Sequence, residues 1–148
     1  SEAGWLLDEP YAPHTDLARA KDWLRRLTDM GPGMAVITSV PLCEGRRQIA
    51  VLAYHAAQKR FWKVECPYIP AFYPGTGDAF ASVLTGCLIR GDSLPLAMDR
   101  AVQFVTMGLR ATFGNDEPTR YGILLERVLD TLRAPLSAAA YELLEDDA

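Results

Sequence analysis

Phe72-Tyr73-Pro74-Gly75-Thr76-Gly77-Asp78-Ala79-Phe80-Ala81-Ser82 takes the chain through a glycine turn into the apolar run Ala79 to Ile89. Two glycines without Cβ let successive backbone N–H groups converge on one point, and the helix that follows adds its unpaired N-terminal donors and positive dipole end. A phosphate suits that point. Asp78 sets a carboxylate beside it, where a hydroxyl losing its proton during phosphoryl transfer needs an acceptor. The same residues also read as an ordinary helix start, because Asp is a good cap and glycine a common turn residue. The surrounding sequence has to choose between the two.

Downstream the pattern is helical. Ala79 to Ile89 is apolar almost all round, as expected of a central buried helix, and Gly91 ends it. Ser93 caps a further helix from about Leu94 to Thr112, with Pro95 tolerated in its first turn, and a last helix is predicted from about Gly122 to Leu132. Pro135 breaks the pattern, and residues 135–148, acidic from Glu142 to Asp147, read as a solvated tail.

Upstream, Thr15 or Asp16 caps a helix to about Met30, with Leu17, Ala20, Trp23, Leu24 and Leu27 on one face and mostly charged residues on the other. Gly31-Pro32-Gly33 ends it. Met34-Ala35-Val36-Ile37-Thr38 is a short apolar run bounded by turn signals, which predicts a strand buried on both faces of a parallel sheet. Gln48 to Tyr54 and Arg60 to Glu65 read as an antiparallel hairpin at that sheet's edge. A parallel strand needs neighbours for its backbone, and these are not in the sequence. Ser1-Glu2-Ala3-Gly4-Trp5-Leu6-Leu7 is already amphipathic, so the chain reads as starting inside a larger fold.

Composition narrows the function classes. The 148 residues are 49% hydrophobic and 23% charged, with a net charge of −4, which is ordinary for one globular domain or a piece of one. Lys and Arg are scattered, adjacent only at Arg25-Arg26, Arg46-Arg47 and Lys59-Arg60, and form no stripe for nucleic acid. Cys43, Cys66 and Cys87 are far apart, and only His14 and His55 could join them, so neither a disulfide framework nor a zinc site is indicated. No run has the length of a membrane span and no signal-peptide order opens the chain, so the expected location is the cytoplasm. Small molecules are the expected partners.

The segment Phe72 to Ser82 resembles the C-terminal signature of the ribokinase-like superfamily, specifically its pyridoxal (vitamin B6) kinase branch. Glu2-Ala3 with Leu6-Leu7, the strand Val36-Ile37-Thr38-Ser39, and Arg120-Tyr121-Gly122 fall in that family's order. The resemblance implies an α/β fold, the C-terminal half of a ribokinase-like three-layer α/β/α architecture with a mostly parallel central sheet. Residues 1–134 would be the ATP-binding and catalytic part of the kinase domain, and 135–148 the tail.

The same resemblance implies roles for particular residues. Asp78 would be the base that takes the proton of the substrate's hydroxymethyl group, and the N–H groups of Gly75, Thr76 and Gly77 would hold the charge on the transferred phosphoryl. Thr38 and Ser39 close the predicted strand at its C-terminal end, where open α/β sheets place ligands, and would contact the nucleotide phosphates; a strand-end turn is the alternative reading. Val102 and Val105 would line the adenine slot, although apolar residues at that spacing also read as core. Glu2 matches the glutamate of the family's Thr-Pro-Asn-x-x-Glu motif and would help to hold Mg²⁺ through water; its alternative is a first-turn carboxylate favoured by the helix dipole. The three cysteines, the histidines, and Trp5, Trp23 and Trp62 receive no chemical role.

The implied activity is ATP- and Mg²⁺-dependent phosphorylation of the 5′-hydroxymethyl group of pyridoxal, pyridoxine or pyridoxamine, by a homodimer. The hydroxymethylpyrimidine kinase of thiamine synthesis shares the fold, but its usual signature has cysteine where this chain has Asp78. Sugar and nucleoside kinases of the superfamily also keep the aspartate. A reading of another class is a non-catalytic fragment that carries only the phosphate-binding half.

Overall fold

The computed structural model describes residues 2–10, 15–42, 48–69, 72–113, 119–135 and 140–145. Cys43, His14 and Arg46-Arg47 lie outside them. The chain divides into two compact units, Ser1–Cys66 with Tyr141–Ala148, and Pro67–Ala140.

The first unit places helices α1 (Glu2–Leu6) and α2 (Leu17–Asp29) with a four-stranded sheet of β1 (Met34–Pro41), β2 (Gln48–His55), β3 (Arg60–Pro67) and β4 (Tyr141–Leu144), in the order β1-β2-β3-β4. Helix α2 starts where its cap requires: Asp16 Oδ1 accepts the Arg19 N–H at 2.8 Å. Its apolar face buries Ala20, Trp23 and Leu24 against Ile37, Val40, Leu52, Tyr54 and Phe61 of the sheet. Tyr54 and Phe61 stack with centroids 4.4 Å apart, and the Arg25 guanidinium lies over Phe61 at 4.9 Å. Glu9 joins the segment after α1 to α2 by accepting from both Arg19 and Arg26.

The sheet is antiparallel, which corrects the expectation of a mostly parallel one. β1 pairs antiparallel with β2 (Met34↔His55, Ile37↔Leu52), and β3 with β4 (Phe61↔Leu144, Val64↔Tyr141). β2 and β3 are neighbours joined through residues 56–59, and a connection that short joins only antiparallel strands. The apolar run at Met34 reports burial and not the direction of its partner. Even the burial is partial, because only Ile37 and Val40 of β1 are buried.

The stretch read as a solvated tail contributes β4. Lys63 Nζ bridges its Glu142 carboxylate at 2.9 Å and Glu65 of β3 at 2.7 Å, and Lys21 Nζ donates to the Glu145 backbone carbonyl at 2.7 Å. Trp62 meets Tyr141 edge-on at 5.9 Å.

The second unit packs α3 (Thr76–Ile89) against α4 (Leu94–Phe113), with Tyr73, Ala79, Phe104, Ile123 and Val128 as its core. Helix α3 starts three residues ahead of Ala79, so Thr76, Gly77 and Asp78 form its first turn. It is less covered than its composition suggests: Ala79, Phe80 and Cys87 are buried, while Ile89 is 82% exposed. The helix predicted from Gly122 to Leu132 is instead two 3-10 segments, Leu125–Arg127 and Leu129–Arg133. Gly122 enters with φ +79°, and the Thr131 hydroxyl bonds the Val128 carbonyl at 2.6 Å, a local side-chain contact of the kind that competes with α-helical pairing. Among the described residues no helix is long and apolar enough to cross a membrane.

Candidate active site

The glycine turn and Asp78 belong to the second unit. Gly75 is the N-cap of α3 with φ +83°, a left-handed backbone that glycine adopts at no steric cost. The first helical bond runs from Ala79 N–H to the Gly75 carbonyl at 2.9 Å. The N–H groups of Thr76, Gly77 and Asp78 precede that bond and have no acceptor inside the helix. The Thr76 hydroxyl turns back to the Tyr73 carbonyl at 3.3 Å and anchors the turn.

Asp78 sits at the third helical position, not the cap, and Gly75 offers no capping side chain. The carboxylate is exposed and has no hydrogen-bond or ion-pair partner among the described residues. A Cβ built at Gly75 or Gly77 would meet nothing within 4 Å, so neither glycine is demanded by packing. Glycine inside a helix costs about 1 kcal/mol relative to alanine, and at Gly77 no contact among the described residues explains that cost. The result is a bare helix N-terminus open to an approaching anion, with a free carboxylate on its first turn.

The turn is held from behind by a segment that the sequence reading left without a role. Gly122 lies so close to Pro74 that a Cβ there would stand 2.8 Å from the Pro74 carbonyl oxygen. Two residues on, the Leu124 N–H donates to Thr112 Oγ1 at 2.9 Å, and that hydroxyl donates to the Gly108 carbonyl at 2.7 Å. Gly108, an isolated glycine inside a helix, signals the close approach of Ile123 to α4, where a Cβ would stand 3.2 Å from the Ile123 Cδ1.

Thr38 and Ser39 belong to the first unit. They do not close β1, which continues to Pro41; they form an irregularity between Ile37 and Val40 where the pairing register shifts. Ser39 has φ +59°, a left-handed backbone that costs a non-glycine residue about 1–3 kcal/mol and recurs at ligand sites. Both residues are exposed. Glu2 is exposed on the first turn of α1. On α4, Val102 is buried and Val105 packs against the core around Phe104 and Ile123.

Among the described residues no three His, Cys, Asp or Glu side chains gather as a metal site. A cavity of about 210 Å³ lies between α4 and the last 3-10 segment, lined by Arg100, Gln103, Met107 and Thr131 among others, without Asp78 or the glycine turn in its walls. Burial pushes the Cys66 thiol up to about 11 and raises Cys87 as well; the Cys66 thiol points at the Ile49 carbonyl at 3.5 Å.

A family model described as phosphomethylpyrimidine kinase matches residues 1–119. A Bacteroides thetaiotaomicron protein described as a phosphomethylpyrimidine kinase is 52% identical, with a TM-score of 0.91 over 97% of this chain and 49% of its own. A second crystal form of it, solved with pyridoxal, gives a TM-score of 0.90 at 52% identity, over 97% of this chain and 50% of its own. Pyridoxal kinase from Lactobacillus plantarum is 29% identical, with a TM-score of 0.76 over 88% of this chain and 46% of its own. The chain spans about half the length of these solved relatives. No curated protein matches it.

Proposed function

The chain belongs to the phosphomethylpyrimidine kinase family, and from that premise we propose that it carries the phosphate-handling part of an ATP-dependent kinase acting on the 5′-hydroxymethyl group of pyridoxal, pyridoxine or pyridoxamine. The observation that carries the reading is Asp78, an exposed carboxylate without a partner among the described residues, next to three amides that α3 leaves unpaired.

The chemistry follows from those groups. The unpaired donors at Thr76 and Gly77, with the Gly75 N–H from the turn before them, are oriented before the reaction begins, so they stabilise charge developing on the transferred phosphoryl without reorganising. Asp78 accepts the hydroxymethyl proton as that oxygen attacks phosphorus, and the bond to the leaving ADP breaks. In the first unit, the exposed hydroxyls of Thr38 and Ser39 are suited to nucleotide phosphate oxygens. Val102 and Val105 offer apolar surface for adenine, although both side chains are already engaged in packing.

Glu2 fits a Mg²⁺ role of a limited kind. It is a single exposed carboxylate, and Mg²⁺ in phosphoryl-transfer sites keeps several waters and is held by one or two carboxylates with the substrate phosphates. When bound, the ion neutralises charge on the phosphate oxygens.

A second reading, hydroxymethylpyrimidine kinase, is favoured by the family's description and by that of the Bacteroides relative. Asp78 stands where the signature of those kinases has cysteine, and the same relative was crystallised with pyridoxal, which supports the B6 reading. The deciding experiment measures ATP consumption by the full-length protein with pyridoxal, pyridoxine, pyridoxamine and hydroxymethylpyrimidine in parallel. The expected result is a higher kcat/KM for a B6 vitamer. Preference for the pyrimidine overturns the proposed substrate, and no turnover with any of the four overturns the kinase reading.

A further inference from the structure

We propose that Gly122 is a positioning residue for the glycine turn: by carrying no side chain it lets the Pro74 carbonyl sit against its backbone, and so holds the turn that presents Gly75, Thr76 and Gly77. The proposal rests on the reading of that turn as a phosphate cradle. The contact is backbone on backbone, with 2.8 Å between a Cβ at Gly122 and the Pro74 oxygen. No rotamer can relieve it, so either the turn or the 122–124 segment would have to shift.

The segment is not free to shift. Leu124 is bonded to Thr112, and Thr112 in turn to Gly108. Ile123 is buried, with its Cδ1 only 3.2 Å from where a Gly108 Cβ would lie. The strap is therefore fastened to α4 at one end and meets the Pro74–Gly75 turn at the other. A side chain at Gly122 would transmit its displacement to the turn, and a misplacement of about 1 Å at a phosphoryl-transfer site can cost on the order of 10²-fold in rate.

Gly91 provides the control. It has φ +95°, yet a Cβ there would meet nothing within 4 Å, so Gly91→Ala carries the left-handed backbone penalty without the collision. Gly122→Asn serves as a second variant that tolerates the left-handed backbone while keeping the Cβ. In the full-length protein, Gly91→Ala is expected to keep the wild-type kcat. Gly122→Ala and Gly122→Asn are expected to lose roughly tenfold or more in kcat, with KM for the vitamer unchanged.

The second readout is the amide resonances of Thr76, Gly77 and Asp78 during titration with inorganic pyrophosphate. They are expected to shift in the wild type and in Gly91→Ala, and to respond weakly in both Gly122 variants. Wild-type kcat and wild-type shifts in Gly122→Asn overturn the proposal, as does an equal loss in Gly91→Ala or the absence of any shift in the wild type. If the wild-type amides shift but no acceptor is phosphorylated, the kinase reading fails, and the pyrophosphate arm alone decides the role of Gly122.

Discussion

Replacing Asp78 with asparagine should separate chemistry from folding. The two side chains are nearly isosteric, and Asp78 is exposed without a partner among the described residues. The folded state loses only a carboxylate near a helix N-terminus, worth about 0.3–1 kcal/mol. That corresponds to a fall in Tm of roughly 1–4 °C. If Asp78 takes the hydroxymethyl proton, its removal lowers kcat by about 10²–10⁴-fold, or about 2.7–5.5 kcal/mol of barrier. ATP affinity should stay the same or rise, since a carboxylate beside the cradle repels phosphate. Steady-state turnover with a B6 vitamer, calorimetric ATP binding and a thermal melt of the full-length variant measure the three quantities. Turnover within a fewfold of wild type refutes the base assignment, and so does a loss of ATP binding as large as the loss of kcat.

Leu24, fully buried between α2 and the sheet, should cost about 2–5 kcal/mol when changed to alanine, read as a lower urea midpoint. The Arg26 hydrogen bond, helped by Arg19, holds the Glu9 carboxyl below its ordinary value of 4.5. Its contribution is therefore present above that pH and lost as pH falls through the depressed folded value. Glu9→Gln should flatten the acid limb of stability, and an unchanged limb counts against the pair. With its thiol raised from 9.0 to about 11, Cys66 should alkylate at pH 8 roughly 100-fold more slowly in the native chain than in urea, as followed by peptide mass mapping.

What the sequence disclosed depended on how local the cause was. The cap at Asp16 and the apolar face of α2 are set within a few residues, and both stand as read. The glycine turn as the opening of α3 was legible too, because the left-handed backbone of Gly75 is a local property. The β2–β3 hairpin was legible from its short connection, but the direction of β1 was not: Met34 to Thr38 is apolar whether its neighbour runs parallel or antiparallel. Composition misled at Tyr141–Leu144, where the acids from Glu142 to Asp147 outweighed two leucines and a tyrosine; Lys63 pairs with Glu142, and Lys21 ties down the Glu145 backbone carbonyl. The shift at Ser39 and the Gly122–Pro74 contact arise from pairing and long-range packing, which no local pattern reports.

Strand β4 pairs with β3 although residues 68–140 intervene between them. During synthesis, therefore, β3 waits for this partner until residues 68–140 have been made. Until then β3 keeps one edge unsatisfied, open to pairing with a stranger. Removing Tyr141–Leu144 would thus bare the β3 edge of this sheet, and expression trials that delete this strand should expect insoluble product.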